Sequence, residues 1–443
     1  MSDHTHDEPH AHEHTHADGT THTHGHGDHE HKEHEHEHTH ADGTTHAHDH
    51  VHAEGHEHDH DHEHSKKKGS WHGSSAAESP DGHALGSRSV EQLLTLDDAE
   101  RLAESVVAPE AWSYIVGGAG DERTLRWNRE AFSRYRLRYR VLVDVSSVST
   151  VTTVLGTPVS MPVLVAPMAF QQIAHEEGEL AMARGAAEAG TLMCVSTVAT
   201  ATPADIAAAA PGAPRWLQIY VFRDREVSDG VIEQALDSGF TALVLTADLP
   251  VYGIRHREAR LGFAAPEDDV PALAAARARR GDASEHHVLD GFLESGLQWE
   301  YVAELVERFD VPVIVKGLVT AEDADLACQH GASAVVVSNH GGRQLDGAVA
   351  SLEALPEVVE AVSGRAEVYL DGGVRRGVDV AMALALGARA VLVGRPAMYG
   401  LAFGGDKGVA QVLEILREET ENALALLGCR SPEDVTAAHV KPA

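Results

Sequence analysis

The sequence predicts an α/β fold: a closed (β/α)8 TIM barrel preceded by a disordered, histidine-rich N-terminal tail. Three observations lead there. The composition changes abruptly before residue 90, eight short apolar runs follow with room for a helix between most neighbours, and those runs end in polar, glycine-bearing or arginine-bearing loops.

The tail comes first. Residues 1–64 hold 24 of the 33 histidines and 17 acidic residues against a single lysine. So few large apolar side chains cannot offset the entropy of ordering the chain, so disorder is expected. Within it Glu13 to His24 (EHTHADGTTHTH) returns at Glu37 to His48 (EHTHADGTTHAH), the mark of an expanded low-complexity tract. Imidazoles alternating with carboxylates suit zinc, nickel or copper, so a metal-binding tail is one reading and a solvated leader is the other. The many equivalent spacings define no ligand set. Residues 65–89 read as a linker rich in glycine and serine with a short basic patch, and residues 90–443 as one large folded domain.

The formal charge of −34 argues against nucleic acid and anionic membranes as partners. The tail has no apolar core of a signal peptide, and no stretch reads as a membrane span, so a cytoplasmic protein is expected. Cys194, Cys328 and Cys429 are too few and too scattered for a disulfide framework or a thiolate metal site.

The apolar runs are Pro162 to Ala166, Leu192 to Ser196, Trp216 to Tyr220, Ala242 to Asp248, Val313 to Gly317, Ala334 to Asn339, Glu367 to Gly372 and Ala390 to Gly394. Helical periodicity lies between them at Glu177 to Ala189, Val227 to Ser238, Ala321 to His330 and Val378 to Leu386, and a last helix is expected over Val409 to Leu427. Alternation of this kind implies right-handed crossovers and a parallel sheet, which a count of eight closes into a barrel. An open doubly wound sheet is the alternative, and the lack of G-x-G-x-x-G after the first run weakens its nicotinamide-binding form. Leu261 to Gln298 reads as a long connection after the fourth run, a lid or a disordered loop, with His286 and His287 on its surface.

A barrel collects its chemistry at the carboxyl ends of its strands. Those ends carry Pro167-Met168-Ala169, Ser196, Gln218 with Tyr220, Thr246 with Asp248, Lys316, His340 with Arg343, Asp371-Gly372-Gly373-Val374-Arg375, and Gly394-Arg395. Neutral hydrogen-bonding groups on early strands suit a heteroaromatic ring, and glycine with arginine on the last two suits a phosphate. The densest segment is Ser338 to Asp346 (SNHGGRQLD), where a base, a cation and two glycines follow a β-branched run.

Trp112 to Val141, Ala166-Pro167, Gln218-Ile219-Tyr220, Val315-Lys316-Gly317, Ser338 to Asp346, Leu370 to Arg376 and Gly394-Arg395-Pro396 together resemble the FMN-dependent 2-hydroxy-acid dehydrogenase and oxidase family, which includes glycolate oxidase and lactate 2-monooxygenase. The resemblance runs from about residue 90 to the C-terminus and leaves the tail outside. It implies that His340 is the catalytic base, that Asp248 orients it, and that Arg255 and Arg343 bind the substrate carboxylate, with Arg255 preferred over Arg257 and Arg260. Tyr220 and Tyr114 are similar to the tyrosines that contact the substrate's oxygens. For FMN it implies Pro167, Met168, Ala169, Ser196, Gln218, Thr246, Lys316, Ser338, Asp371, Gly373, Arg375, Gly394 and Arg395, and for assembly a homo-oligomer, a tetramer.

Met168, and Val198 where glycolate oxidase has a large aromatic residue, depart from common family patterns, leaving the substrate side chain open. The expected activity is oxidation of an L-2-hydroxy acid to the 2-oxo acid, with oxygen or another carrier as acceptor. Oxidative decarboxylation of the lactate 2-monooxygenase type is one alternative, a flavin isomerase another, and a metal-binding or metal-delivery protein a third.

Overall fold

A computed structural model describes residues 93–280 and 291–443, with four short strands in the tail. The chain divides into two units, Met1–His83 and Ala84–Ala443. In the first, Ala11–Thr15, Thr21–Gly25, His34–Thr39 and Thr45–His50 pair antiparallel in chain order. The expected disorder of the tail and the linker at 65–89 otherwise fall outside the described residues, as do His286 and His287.

The second unit is the predicted barrel. Its strands are β1 (Val163–Val165), β2 (Met193–Val195), β3 (Arg215–Ile219), β4 (Leu243–Thr246), β5 (Val313–Leu318), β6 (Ala334–Val337), β7 (Glu367–Asp371) and β8 (Ala390–Val393). All neighbours are parallel, and β8 pairs with β1 to close the ring. The runs are continuously apolar because both faces are buried. Leu164, Trp216, Val244, Ile314, Val336 and Leu392 fill the interior, while the alternating Val165, Leu217, Leu245, Val315, Val337 and Val393 face the helices. A hairpin of Thr152–Val154 and Thr157–Val159 adds Val154 and Val159 to the interior cluster.

The crossover helices are α1 (Gly178–Glu188), α2 (Pro203–Ala209), α3 (Arg225–Asp237), α4 (Glu300–Arg308), α5 (Ala321–Gln329), α6 (Ser351–Val362), α7 (Gly377–Ala385) and α8 (Arg395–Leu427). Side chains of Thr202, Asp224 and Thr320 accept first-turn amides and so fix where α2, α3 and α5 start. The four helices read from periodicity are α1, α3, α5 and α7, to within two residues at every end.

Two expectations change. The expected last helix is present but does not stand alone: helical structure already starts at Arg395 and is interrupted by a kink at Gly405 (φ 56°, ψ −136°), a backbone conformation open to glycine, before it runs on through Leu427. The connection after β4 is not a bare loop. Its alanine- and arginine-rich stretch is the helix Pro271–Arg280, held by Val270, Leu273 and Ala276 against Phe222 and Phe292. No helix among the described residues is long and apolar enough to cross a membrane. Cys194, Cys328 and Cys429 are all free thiols, the first and last buried.

Candidate active site

At the carboxyl ends of the strands lies a cleft of about 1110 Å³, its open mouth included. Every residue assigned from the sequence to substrate or cofactor lines it, apart from Ser338; Asp248 and Ser338 stand directly behind its wall.

His340 follows β6 in a left-handed conformation (φ 59°), which is strained for a residue with a Cβ. Two contacts hold it there: its own amide donates to Ser338 Oγ at 3.0 Å, and Asn339 Oδ1 accepts the Gly342 amide at 3.0 Å. Its Nδ1 lies 2.9 Å from Asp248 Oδ1, so a proton on Nδ1 leaves Nε2 as the basic nitrogen. Burial pushes the imidazole's pKa below its ordinary value against the upward pull of Asp248. Burial pushes the Asp248 carboxyl up, but the charges of His340 and Lys316 outweigh it and hold the carboxyl below the usual range. The pair therefore rests as a neutral base beside a carboxylate. Asp248 comes this close because position 317 is glycine (φ 107°): a Cβ there would meet Asp248 Cβ at 2.6 Å.

Lys316, 4% exposed, donates to Ser338 Oγ at 3.0 Å and pairs with Asp371 Oδ2 at 3.2 Å. Burial presses its pKa down, but Asp371 and Asp248 raise it further, so the ammonium stays charged. Ser338 thus links the lysine to the histidine's backbone.

Arg255 caps the short helix His256–Leu261 and Arg343 follows the His340 turn. Arg255 Nε donates to the Arg343 carbonyl at 3.2 Å, and Arg343 Nη1 donates to the carbonyls of Tyr114 (2.6 Å) and Gly117 (2.8 Å). The guanidiniums lie over the rings of Tyr252 (3.9 Å) and Tyr114 (4.6 Å). Arg257 instead pairs with Glu122 at the surface and Arg260 is exposed, so of the three it is Arg255 that lines the cleft. Burial raises the phenol pKa of both Tyr114 and Tyr220, keeping them neutral donors. Tyr114 also stacks on Phe263 at 4.5 Å.

At the early strands, Ser196 Oγ donates to Gln218 Oε1 (3.1 Å) and Gln218 Nε2 to Thr246 Oγ1 (3.0 Å), a chain of neutral polar groups beside Pro167–Ala169. At the late strands, Arg395 donates, among the described residues, only to the carbonyls of Ile115, Gly341 and Gly117, at 2.9 to 3.1 Å. Burial, then the positive charge of Arg343, pulls its pKa down to about 9, and since a guanidinium does not give up its proton in a protein, Arg395 stays a cation there. Arg375 Nε and Asp371 Oδ1 are buried with no hydrogen-bond partner, and neither Arg375 nor Arg395 has an ion pair among the described residues. These orphaned groups and the unneutralised cations fit a phosphorylated, ring-bearing cofactor.

Sequence reading missed the residues that assemble this site. Asn128 and Asn339 exchange amide hydrogen bonds at 2.8 Å in both directions, and Asp346 accepts the amides of Asp121 and Thr124 at 3.0 Å, which ties the N-terminal segment bearing Tyr114 to the 338–346 loop. Gln344 Nε2 holds the Asp248 carbonyl at 2.9 Å. Glu258, 6% exposed, stands between Arg255 and Arg343. Its three-residue spacing from Arg255 was the available signal. His175 stands before α1 with a local role, its Nδ1 accepting the Glu177 amide at 3.2 Å. Among the described residues no cluster of three or more His, Cys, Asp or Glu could hold a metal ion.

A family model described as FMN-dependent dehydrogenase matches residues 103–442. An L-lactate oxidase of Nostoc sp. is 44% identical over 355 residues, which is 77% of this chain and 96% of the relative. The glycolate oxidase of Spinacia oleracea is 41% identical over 354 residues, 79% of this chain and 96% of its own. A crystal structure of mandelate oxidase superposes with a TM-score of 0.72 at 41% identity, covering 80% of this chain and 99% of that one.

Proposed function

The chain belongs to the FMN-dependent dehydrogenase family, and on that premise we propose that it oxidises an L-2-hydroxy acid to the 2-oxo acid with oxygen as final acceptor and hydrogen peroxide as second product. The observation that carries the reading is one cleft holding a neutral histidine paired to a carboxylate beside two arginines.

When bound, FMN supplies the capacity to accept two electrons. Ser196, Gln218, Thr246 and the Pro167–Ala169 backbone would hold its ring, Lys316 would stand by it as a fixed cation, and Asp371, Gly373, Arg375, Gly394 and Arg395 would hold the ribityl and phosphate. Ser338 acts from behind, through Lys316 and His340. Arg255 and Arg343 grip the substrate carboxylate with their planar forks. Conversion of the alcohol to the ketone releases two electrons and two protons; His340 Nε2 takes one proton, and the other would leave with the two electrons that FMN supplies the capacity to accept. Asp248 stabilises the imidazolium so formed, and the Tyr220 and Tyr114 phenols donate to the substrate's oxygens.

The test is anaerobic reduction of the FMN-loaded protein by a panel of L-2-hydroxy acids, followed by oxygen and assay of products. Bleaching by one acid, then peroxide with the 2-oxo acid, is the expected result. A decarboxylated acid in place of the 2-oxo acid would shift the reading to the lactate 2-monooxygenase type, and bound FMN that no acid bleaches would overturn it.

A homo-oligomer working in the cytoplasm completes this reading, resting on the family resemblance for assembly and on the charged, apolar-poor leader for compartment. For the tail we propose zinc, nickel or copper binding. Its alternation of imidazoles with carboxylates supports this, since such groups suit these metals. Metal titration with and without residues 1–64 tests it.

A further inference from the structure

Arg255 and Arg343 are bridged by one oxygen atom. Glu258 Oε1 lies 3.3 Å from Arg255 Nη1 and 3.2 Å from Arg343 Nη2, while Glu258 Oε2 accepts the Tyr252 hydroxyl at 3.2 Å. The carboxylate is buried, with 8% of its side chain exposed, as is Arg255 at 4%, and Arg343 is nearly so at 14%. The other hydrogen bonds of the two arginines go to neutral acceptors: the carbonyls of Arg343, Tyr114 and Gly117, and the Tyr252 hydroxyl. Two cations and one anion therefore leave this corner with a single net positive charge.

We propose that Glu258 sets the substrate charge, making the pocket take monoanionic 2-hydroxy acids and reject dianionic ones. The inference rests on the reading of Arg255 and Arg343 as the carboxylate grip. A monocarboxylate brings the corner to neutrality. A second carboxylate on the substrate would be buried without a counter-charge among Leu249, Tyr252, Val198 and Tyr114, where a mismatch in charge is costly. The remaining charges oppose it too. His340 is neutral and backed by the Asp248 carboxylate, and Lys316 is already paired with Asp371. Glu258 is thus a specificity-determining residue that acts through the two arginines and need not touch the substrate.

Propionate and malonate share a three-carbon skeleton and differ in charge, so their dissociation constants from the oxidised, FMN-loaded protein, read from perturbation of the flavin spectrum, isolate the effect. Wild-type protein should bind propionate in preference to malonate. Glu258→Gln, which keeps shape and removes charge, should shift the ratio towards malonate by about tenfold or more, roughly one buried unit charge seen through protein. Glu258→Asp should hold the wild-type ratio. An unchanged ratio in E258Q, or an equal shift in E258D, overturns the proposal. Wild-type spectra that respond to neither anion, or anion affinity undiminished in Arg255→Met, would remove the carboxylate grip itself and so identify the earlier reading as the one that failed.

Discussion

The cleft holds two pairs of arginines, and they are neutralised differently. Arg255 and Arg343 share the buried Glu258 and lie over tyrosine rings, whereas Arg375 and Arg395 meet only carbonyl oxygens and have no ion pair among the described residues. The first pair is charge-balanced to within one unit before anything binds. The second holds two positive charges in a half-buried place without an ion pair among the described residues, an arrangement that favours an anion with comparable charge. A phosphate group carries that charge and a single carboxylate does not. The contrast matches a cofactor that stays and a substrate that must leave: strong unbalanced attraction at one end, weak balanced attraction at the other.

The sharpest way to separate the ends is to remove the base between them. His340→Ala should leave FMN bound, because nothing at Arg375 or Arg395 changes, yet slow reduction by substrate by about 10³- to 10⁴-fold, the upper range for general-base catalysis. Stopped-flow reduction with the flavin content measured beside it reads both; rapid reduction in that variant sinks the base assignment. A smaller effect distinguishes the arginine pairs directly. Arg395→Met should raise the FMN dissociation constant by about tenfold to a hundredfold, the worth of one buried charge-assisted contact, while Arg343→Met should keep FMN and weaken substrate instead. If both variants shed FMN alike, the two pairs are one anion site and the comparison is broken.

The sequence made the substrate and cofactor sides legible to different degrees. Strand order was readable because every strand is buried on both faces, so the apolar runs are uninterrupted and their polar ends stand out. His340, Lys316 and the late glycine-arginine pairs sit at those ends, where position alone marks them. Glu258 offered only its spacing from Arg255, because it belongs to a short helix in a charged stretch after β4 and its other partners, Tyr252 and Arg343, lie outside that helix. Asn128 and Asp346 were missed for a related reason: they act between segments more than 200 residues apart, and no local periodicity records such a contact. The first half of α8 was missed because its glycines lower helix propensity, and packing against α1 overrides that deficit: Gly185 approaches the Asp406 carbonyl and Val409 too closely for any Cβ.

Asp248 stands on the boundary between the ends, contacting His340 and drawn to Lys316, and its removal gives the subtlest prediction. In the resting protein burial lowers the His340 pKa and Asp248 partly restores it. Since only the neutral imidazole can accept a proton, kcat/KM should fall as pH drops through that value, with the limb lying below the ordinary histidine range. Asp248→Asn removes the upward pull, so the acid limb should move to lower pH, the opposite of what loss of a titrating base would give. The plateau above it should nevertheless drop, by about a hundredfold, because the imidazolium formed during turnover loses its counter-charge while the resting imidazole does not need one. The pH profile of kcat/KM in the two proteins checks both parts. A limb that stays in place would mean that burial alone governs the histidine, and the carboxylate would then serve only to fix the ring's orientation.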